Sequence, residues 1–247
     1  MLVEWPSAQV FSSCVDAIAA LIDEAEFVFK PEGLFLKATD PSNVSMIDFK
    51  MPKKSFTKFE IGEPIKLGID LDQLAQVSKR CKSGDKVLMT IDKQSNQLQF
   101  EFKGKSTRKF NIPLIDLVKP DLPELKISYD AEIQVSAEII VDALKDAALV
   151  SNYVMISCDS KTFSIKAKSS KGSINNETAT IDMVASDIKQ ACQSMFPSDY
   201  LNDMLKAASS KDVLTLKLGN DAPMMLSYKL GEVAEVNYFL APRMESK

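Results

Sequence analysis

The second half of this chain repeats its first, and no other feature limits the possible folds as strongly. Phe11 and Ile140, Val15 and Leu144, and Leu36 and Ile165 are apolar pairs, each 129 residues apart. Further along, Leu74 and Leu201, and Asp85 and Asp212, keep an offset of 127. A period this long in a 247-residue chain means two domains of like fold. Between them residues 113–129, PLIDLVKPDLPELKISY, hold three of the eleven prolines (Pro113, Pro120, Pro123) and no glycine. Proline fixes φ and donates no hydrogen bond, so this connector is expected to run extended and stiff. Leu114, Ile115, Leu117, Val118, Leu122 and Leu125 are too apolar for a plain solvated linker. It either packs on its own domains or also offers a docking surface. The expected division is 1–112, a connecting loop 113–130, and 131–247.

Local patterns give each half the same elements. Ser7 is placed to cap a helix that turns Phe11, Val15, Ile18 and Ile22 inward and leaves Ser12, Ser13, Asp16 and Ala20 outside. Strand-like runs are expected over 2–5, 26–30, 34–38, 44–51 and 65–69. Asp70 then caps a second helix carrying Leu71, Leu74, Val77 and Cys81. It closes in Lys79, Arg80 and Lys82 before Ser83-Gly84, as a helix C-terminal dipole favours. Strands over 86–91, 97–103 and 107–112 complete the half. After the connector come a strand over 131–135 and a Ser136-capped helix with Ile140, Leu144 and Ala147 inward. A helix from Pro197-Ser198 with Leu201, Leu205 and Ala208 follows, then strands over 213–218, 224–229 and 235–240. The connections are too short for parallel crossovers. The expected class is therefore α+β, two similar domains of antiparallel sheet with two helices each.

Composition removes whole classes of function. The chain has no histidine, which excludes Ser-His-Asp and Cys-His catalysis and histidine-held metals. It has neither a phosphate-cradling GxxxxGK[ST] nor a GxGxxG motif, and only eight glycines. Carboxylate pairs such as Asp70 and Asp72 sit at a helix start and read as caps. No enzyme activity and no cofactor is expected. Thirty basic against thirty-four acidic residues, a net charge of −4, argue against a generally basic nucleic-acid binder, though not against a local basic patch. No apolar run approaches a membrane span, the N-terminus has no signal-peptide pattern, and Cys14, Cys81, Cys158 and Cys192 form no CxxC pair. These features point to an intracellular protein with reduced thiols, in the cytoplasm or nucleoid, and no membrane contact.

Several strings together carry a family resemblance. Asn237-Tyr238-Phe239-Leu240-Ala241-Pro242-Arg243 resembles the C-terminal ending of the proliferating-cell-nuclear-antigen (PCNA) sliding clamps. Asp40-Pro41-Ser42-Asn43-Val44 resembles the loop that faces it in that family. Asn111-Ile112-Pro113-Leu114-Ile115-Asp116 and Leu122-Pro123-Glu124-Leu125 resemble the two ends of the archaeal connecting loop, and Asp142-Ala143-Leu144-Lys145-Asp146-Ala147 also looks archaeal. The resemblance spans the chain. It implies a closed homotrimeric ring with sheets outside and helices lining a channel around duplex DNA. Such a ring is a processivity factor that tethers DNA polymerase and other replication and repair proteins, and is placed on DNA by a clamp loader.

The resemblance also implies where the sites lie. A pocket for the short hydrophobic-aromatic peptide of client proteins falls on Val44, Met46, Leu122, Pro123, Pro223, Phe239, Ala241, Pro242 and Arg243. The first helix carries no lysine or arginine on its outer side, a departure from many family members. The DNA-facing candidates are instead Lys79, Arg80, Lys82, Lys145, Lys206 and Lys211, whose alternative reading is ordinary solvated lysines at helix ends. Strand 107–112 should be a sheet edge, and an unpaired edge invites another strand. In the family its partner is an edge strand of the next subunit, here within 173–181. The subunit contact then involves Arg80, Lys82, Arg108 and Phe110 on one side and Asp142, Asp146, Ile174 and Thr178 on the other. A clamp-fold interaction scaffold, or one subunit of a hetero-oligomeric ring, is the alternative function.

Overall fold

The structure, a computed structural model, describes residues 1–92, 95–117 and 126–244. In chain order the first part comprises β1 (Leu2–Glu4), α1 (Ala8–Ala19), β2 (Glu24–Lys30), β3 (Gly33–Thr39), β4 (Ser45–Pro52), β5 (Lys58–Glu60) and β6 (Ile65–Asp70), then α2 (Leu71–Ser78), β7 (Lys86–Asp92), β8 (Gln97–Lys103) and β9 (Thr107–Pro113). The second begins with β10 (Ala131–Ser136), α3 (Ala137–Ala148), β11 (Tyr153–Cys158), β12 (Thr162–Ser169), β13 (Gly172–Ala179), β14 (Ala185–Ile188) and β15 (Cys192–Pro197). It ends with α4 (Ser198–Met204), β16 (Val213–Leu218), β17 (Met224–Leu230) and β18 (Ala234–Leu240). The chain forms two compact units. One gathers Met1–Pro41, Ile47–Leu122 and Lys229–Val236, the other Ser42–Met46, Pro123–Tyr228 and Asn237–Lys247.

Each unit is antiparallel sheet with two packed helices. In the first, β5-β1-β7-β8-β9 form one sheet and β4-β3-β2-β6 run side by side. In the second, β13-β12-β11-β15 form one sheet and β14-β10-β16-β17 run side by side. Alternation along β8 turns Leu98, Phe100 and Phe102 into the first core, where Phe11 of α1 meets the Phe100 ring at 5.4 Å and Trp5 at 5.0 Å. Ile140, the counterpart of Phe11, is likewise buried in the second unit, with Leu144, Phe163 and Phe196.

The helix ends show why these elements start and stop where they do. Ser7 Oγ accepts the Val10 N–H at 3.1 Å, and Asp70 Oδ1 accepts the Gln73 N–H at 2.9 Å, so both expected caps of the first unit form. α2 stops at Ser78, short of the expected Cys81. From there Arg80 N–H donates to Val77 O (2.9 Å) and Cys81 N–H to Ser78 O (2.9 Å), a tightened final turn. The buried side of that last turn is Ser78, while Val77 is half-exposed. Ser136 stands at the start of α3 but does not cap it, and its hydroxyl instead donates to Ser210 O at 3.4 Å. Carbonyls of the 209–212 turn take its place: Ala137 N–H donates to Asp212 O (2.9 Å) and Glu138 N–H to Ser210 O (3.3 Å). α4 ends at Met204, so Ala208 lies beyond it.

The described start of the connector does not stand free. Ile115 bridges β6 at Gly68, its N–H donating to Gly68 O at 3.0 Å, and Leu114 N–H donates to Asn96 O at 3.1 Å. A Cβ at Gly68 would collide with the Ile115 carbonyl, so the close approach requires glycine.

Candidate functional site

Within the second unit, a cavity of about 400 Å³ opens where the C-terminal tail meets the Val44 segment. Ala241 N–H donates to Val44 O at 2.9 Å, and Arg243 N–H donates to Met195 O of β15 at 2.8 Å, which fixes the tail's course. The Arg243 guanidinium lies 4.0 Å over the Tyr153 ring, a cation–π contact that holds one wall. Val44, Ala241, Pro242 and Arg243, four of the positions the family resemblance implies, therefore line one cavity. Tyr153, Pro197, Asp199 and Tyr200, together with Asn152, supply the rest of the lining. These were not anticipated. They come from the start of β11 and the β15–α4 junction, which only the folded chain brings together. The walls are apolar and aromatic with a few polar groups, a surface that takes a hydrophobic or aromatic side chain.

The remaining pocket candidates fall elsewhere. Met46 is buried at 5% exposure, between buried Ser45 and Ile47, so its side chain belongs to the core and not to a docking wall. Phe239 and Pro223 are half-buried and do not line the cavity. Leu122 and Pro123 lie outside the described residues.

Both predicted edge strands are edges within their sheets, β9 beside β8 and β13 beside β12. On β9, Phe110 rests on Phe102 at 5.3 Å between ring centres, and Thr107, Lys109, Asn111 and Pro113 are exposed. On β13, Ile174, Asn176 and Thr178 share the half-buried face, and the alternate residues are exposed. Arg80 and Lys82 are exposed, but Arg108 is committed inside its own chain. Its guanidinium donates to the buried Asp85 carboxylate and, at 2.5 Å, to Arg80 O. Asp142 and Asp146 are exposed on one face of α3. Asp142 pairs with Lys145 at 2.9 Å, and Asp146 accepts from Asn176 Nδ2 of β13 at 3.4 Å.

The helices bear a marked charge pattern. Among the described residues, Lys145 is the single base within the four helices, against Asp16, Asp72, Glu138, Asp142, Asp146, Asp199 and Asp203. Lys79, Arg80, Lys82, Lys206 and Lys211 all follow helix ends and are exposed, and Lys79, Arg80 and Lys206 stand next to the last helical turn, where the C-terminal dipole favours a cation. Lys206 also pairs with Asp203 at 2.7 Å. Among the described residues no three acidic or thiol groups are arranged to hold a metal, and no helix is long and apolar enough to cross a membrane.

Comparison with known proteins fits this geometry. The N-terminal domain of proliferating cell nuclear antigen matches residues 1–122, and its C-terminal domain matches residues 122–243. The chain belongs to the proliferating cell nuclear antigen family. Within that family it is similar to the Pyrococcus furiosus protein named DNA polymerase sliding clamp, with 32% identity over 247 residues covering 98% of each chain. The Thermofilum pendens protein of the same name is 31% identical over 244 residues, again covering 98% of each. Among solved structures, PCNA from Thermococcus kodakaraensis superposes with a TM-score of 0.93 at 25% identity, covering 98% of this chain and 99% of its own. A. fulgidus PCNA, solved with the C-terminal region of FEN-1 bound, gives 0.89 at 32% identity, covering 100% and 99%.

Proposed function

We propose that this protein is a DNA sliding clamp. It closes into a homotrimeric ring around duplex DNA and tethers DNA polymerase and other replication and repair proteins. It has no catalysis of its own, acts inside the cell on DNA, and depends on a clamp loader. Full-length kinship with proteins named DNA polymerase sliding clamp carries this reading. The edge strands β9 and β13 support ring closure by strand addition between copies, a heterologous contact that closes if the rotation fits. The cavity beside Val44 and Arg243 supports docking of a client's hydrophobic-aromatic peptide, and a solved relative, A. fulgidus PCNA, has the C-terminal region of FEN-1 bound. The exposed cations at the helix ends support weak contact with phosphates, without readout of sequence.

Retention on DNA of different topology tests the proposal. Protein loaded on a nicked circle should survive a high-salt wash and be lost when the circle is linearised. Equal retention on circular and linear DNA would refute the encircling ring. Native mass should be three times the 27.3 kDa chain. The absence of any base within α1 favours a second reading, a subunit of a hetero-oligomeric ring, for which the purified chain stays monomeric.

A further inference from the structure

Two of the four cysteines face each other. Cys158 ends β11, Cys192 begins β15, and the two are direct partners in the antiparallel register. Both are free thiols on the buried side of the sheet, 2% and 4% exposed. Facing residues in an antiparallel pair have Cα atoms about 4.5–5.5 Å apart, inside the roughly 4.4–6.8 Å range of disulfides. Neither Cys14 nor Cys81 pairs in register with another cysteine. A cavity of about 370 Å³ lies beside the two strand ends, lined by Cys158, Asp159, Ala191, Cys192 and Asn220 among others.

We propose that Cys158 and Cys192 form a redox modification site, closed into a cross-strand disulfide by hydrogen peroxide. The thiolate of one cysteine attacks a peroxide oxygen, the O–O bond breaks, and water leaves. The second thiol then attacks the sulfur of the resulting sulfenic acid, the S–S bond forms, and a second water leaves. Two thiols are oxidised and one peroxide is reduced, and a dithiol reverses the reaction. Burial pushes the Cys158 thiol up to about 12, helped by Cys192 and the Asp159 carboxylate, and the Cys192 thiol up to about 11, helped by Asp130. Little thiolate is therefore present at neutral pH, so the pair responds to sustained peroxide and closes faster at higher pH. The closed loop encloses β12, β13 and β14 and locks the end of the sheet.

The test oxidises the folded, full-length, reduced protein with hydrogen peroxide. Remaining thiols are then alkylated in denaturant and the digest is analysed by mass spectrometry. The expected result is loss of two thiols, one peptide pair joined through Cys158 and Cys192, and reversal by dithiothreitol. Cys81→Ser should keep the crosslink and Cys192→Ala should lose it. The crosslinked protein should melt roughly 5–10 °C higher, as closure of a loop of this size implies. Four intact thiols, a crosslink through Cys14 or Cys81, or separate oxidation of each cysteine beyond sulfenic acid would overturn the proposal. The wild-type digest decides the matter even where Cys192→Ala fails to fold.

Discussion

Arg108 offers the sharpest test of which surface groups hold the chain itself and which remain for a neighbour. Its side chain is 21% exposed and reaches the Asp85 carboxylate, whose own side chain is only 5% exposed. Without Arg108, Asp85 keeps one described hydrogen bond, from Lys82 N–H at 2.8 Å. Breaking a buried ion pair by removing one partner costs about 3–5 kcal/mol, and a hydrogen bond to a charged group about 1.5–3. Water reaches part of the guanidinium, which lowers the figure. The hydrogen bond to Arg80 O and the stack over Phe102 at 5.7 Å are also lost. Arg108→Ala is therefore expected to destabilise the fold by about 2–3 kcal/mol, or roughly 4–12 °C in Tm for a chain this long. Urea unfolding at two protein concentrations 50-fold apart reads both size and origin, because a loss within one chain is the same at both. Adding Asp85→Asn should recover part of the loss, since the uncharged amide is cheaper to bury alone and still accepts from Lys82. A loss below ~0.5 kcal/mol, or one that grows on dilution, would refute this account and return Arg108 to the subunit contact.

Three further outcomes follow from the surfaces. Tyr153→Ala should weaken a hydrophobic-aromatic client peptide roughly 5- to 30-fold by calorimetry, because it removes both a wall and the support under Arg243. Reversal of Lys79, Lys145 and Lys206 to glutamate should reduce loading and sliding on duplex DNA about equally for every sequence, and a sequence-dependent loss in a diffusion assay would contradict phosphate-only contact. Asp142→Ala with Asp146→Ala should shift the trimer toward monomer by sedimentation, and high salt should do the same to the unmutated protein. The effect should stay within about tenfold, because Asp142 already spends part of its charge on Lys145 and exposed pairs are each worth ~0–1 kcal/mol.

What the sequence made legible was whatever is local. The inward stripe of Phe11, Val15 and Ile18 is a property of helical spacing, and all three are buried. Helix ends were less legible, because long-range partners set them. Nothing in the residues 79–82 forbids another helical turn, and the chain leaves the helix as Asp85 reaches back to the Lys82 N–H. Ser136 has the right residue type for a cap, yet the 209–212 turn supplies its function from 74 residues away. The cavity beside Val44 and Arg243 was half legible for the same reason. Its tail is one recognisable string, while Tyr153 and Tyr200 are brought to it only by the folded sheet and helix junctions.

The repeat itself shows where function made the halves differ. Asp85 Oδ2 accepts the Lys82 N–H at 2.8 Å, and its counterpart Asp212 accepts the Ser209 N–H at 2.7 Å, so the 127-residue offset is preserved as one turn geometry. Only the first copy adds an arginine. Carried forward by the same offset, β9 becomes β18, and Arg108 and Phe110 become Glu235 and Asn237. In β18 Val236, Asn237, Tyr238 and Leu240 are all buried, whereas β9 buries Ile112 alone and exposes Thr107, Lys109, Asn111 and Pro113. One ancestral strand pattern has thus become a covered strand in one half and an open edge in the other. A head-to-tail ring needs two unlike surfaces on each subunit, and an edge strand left open in only one half can serve as one of them. In the ring proposed above, the open edge of β9 would be one of the two, and the open face of β13 beside Asp146 the other.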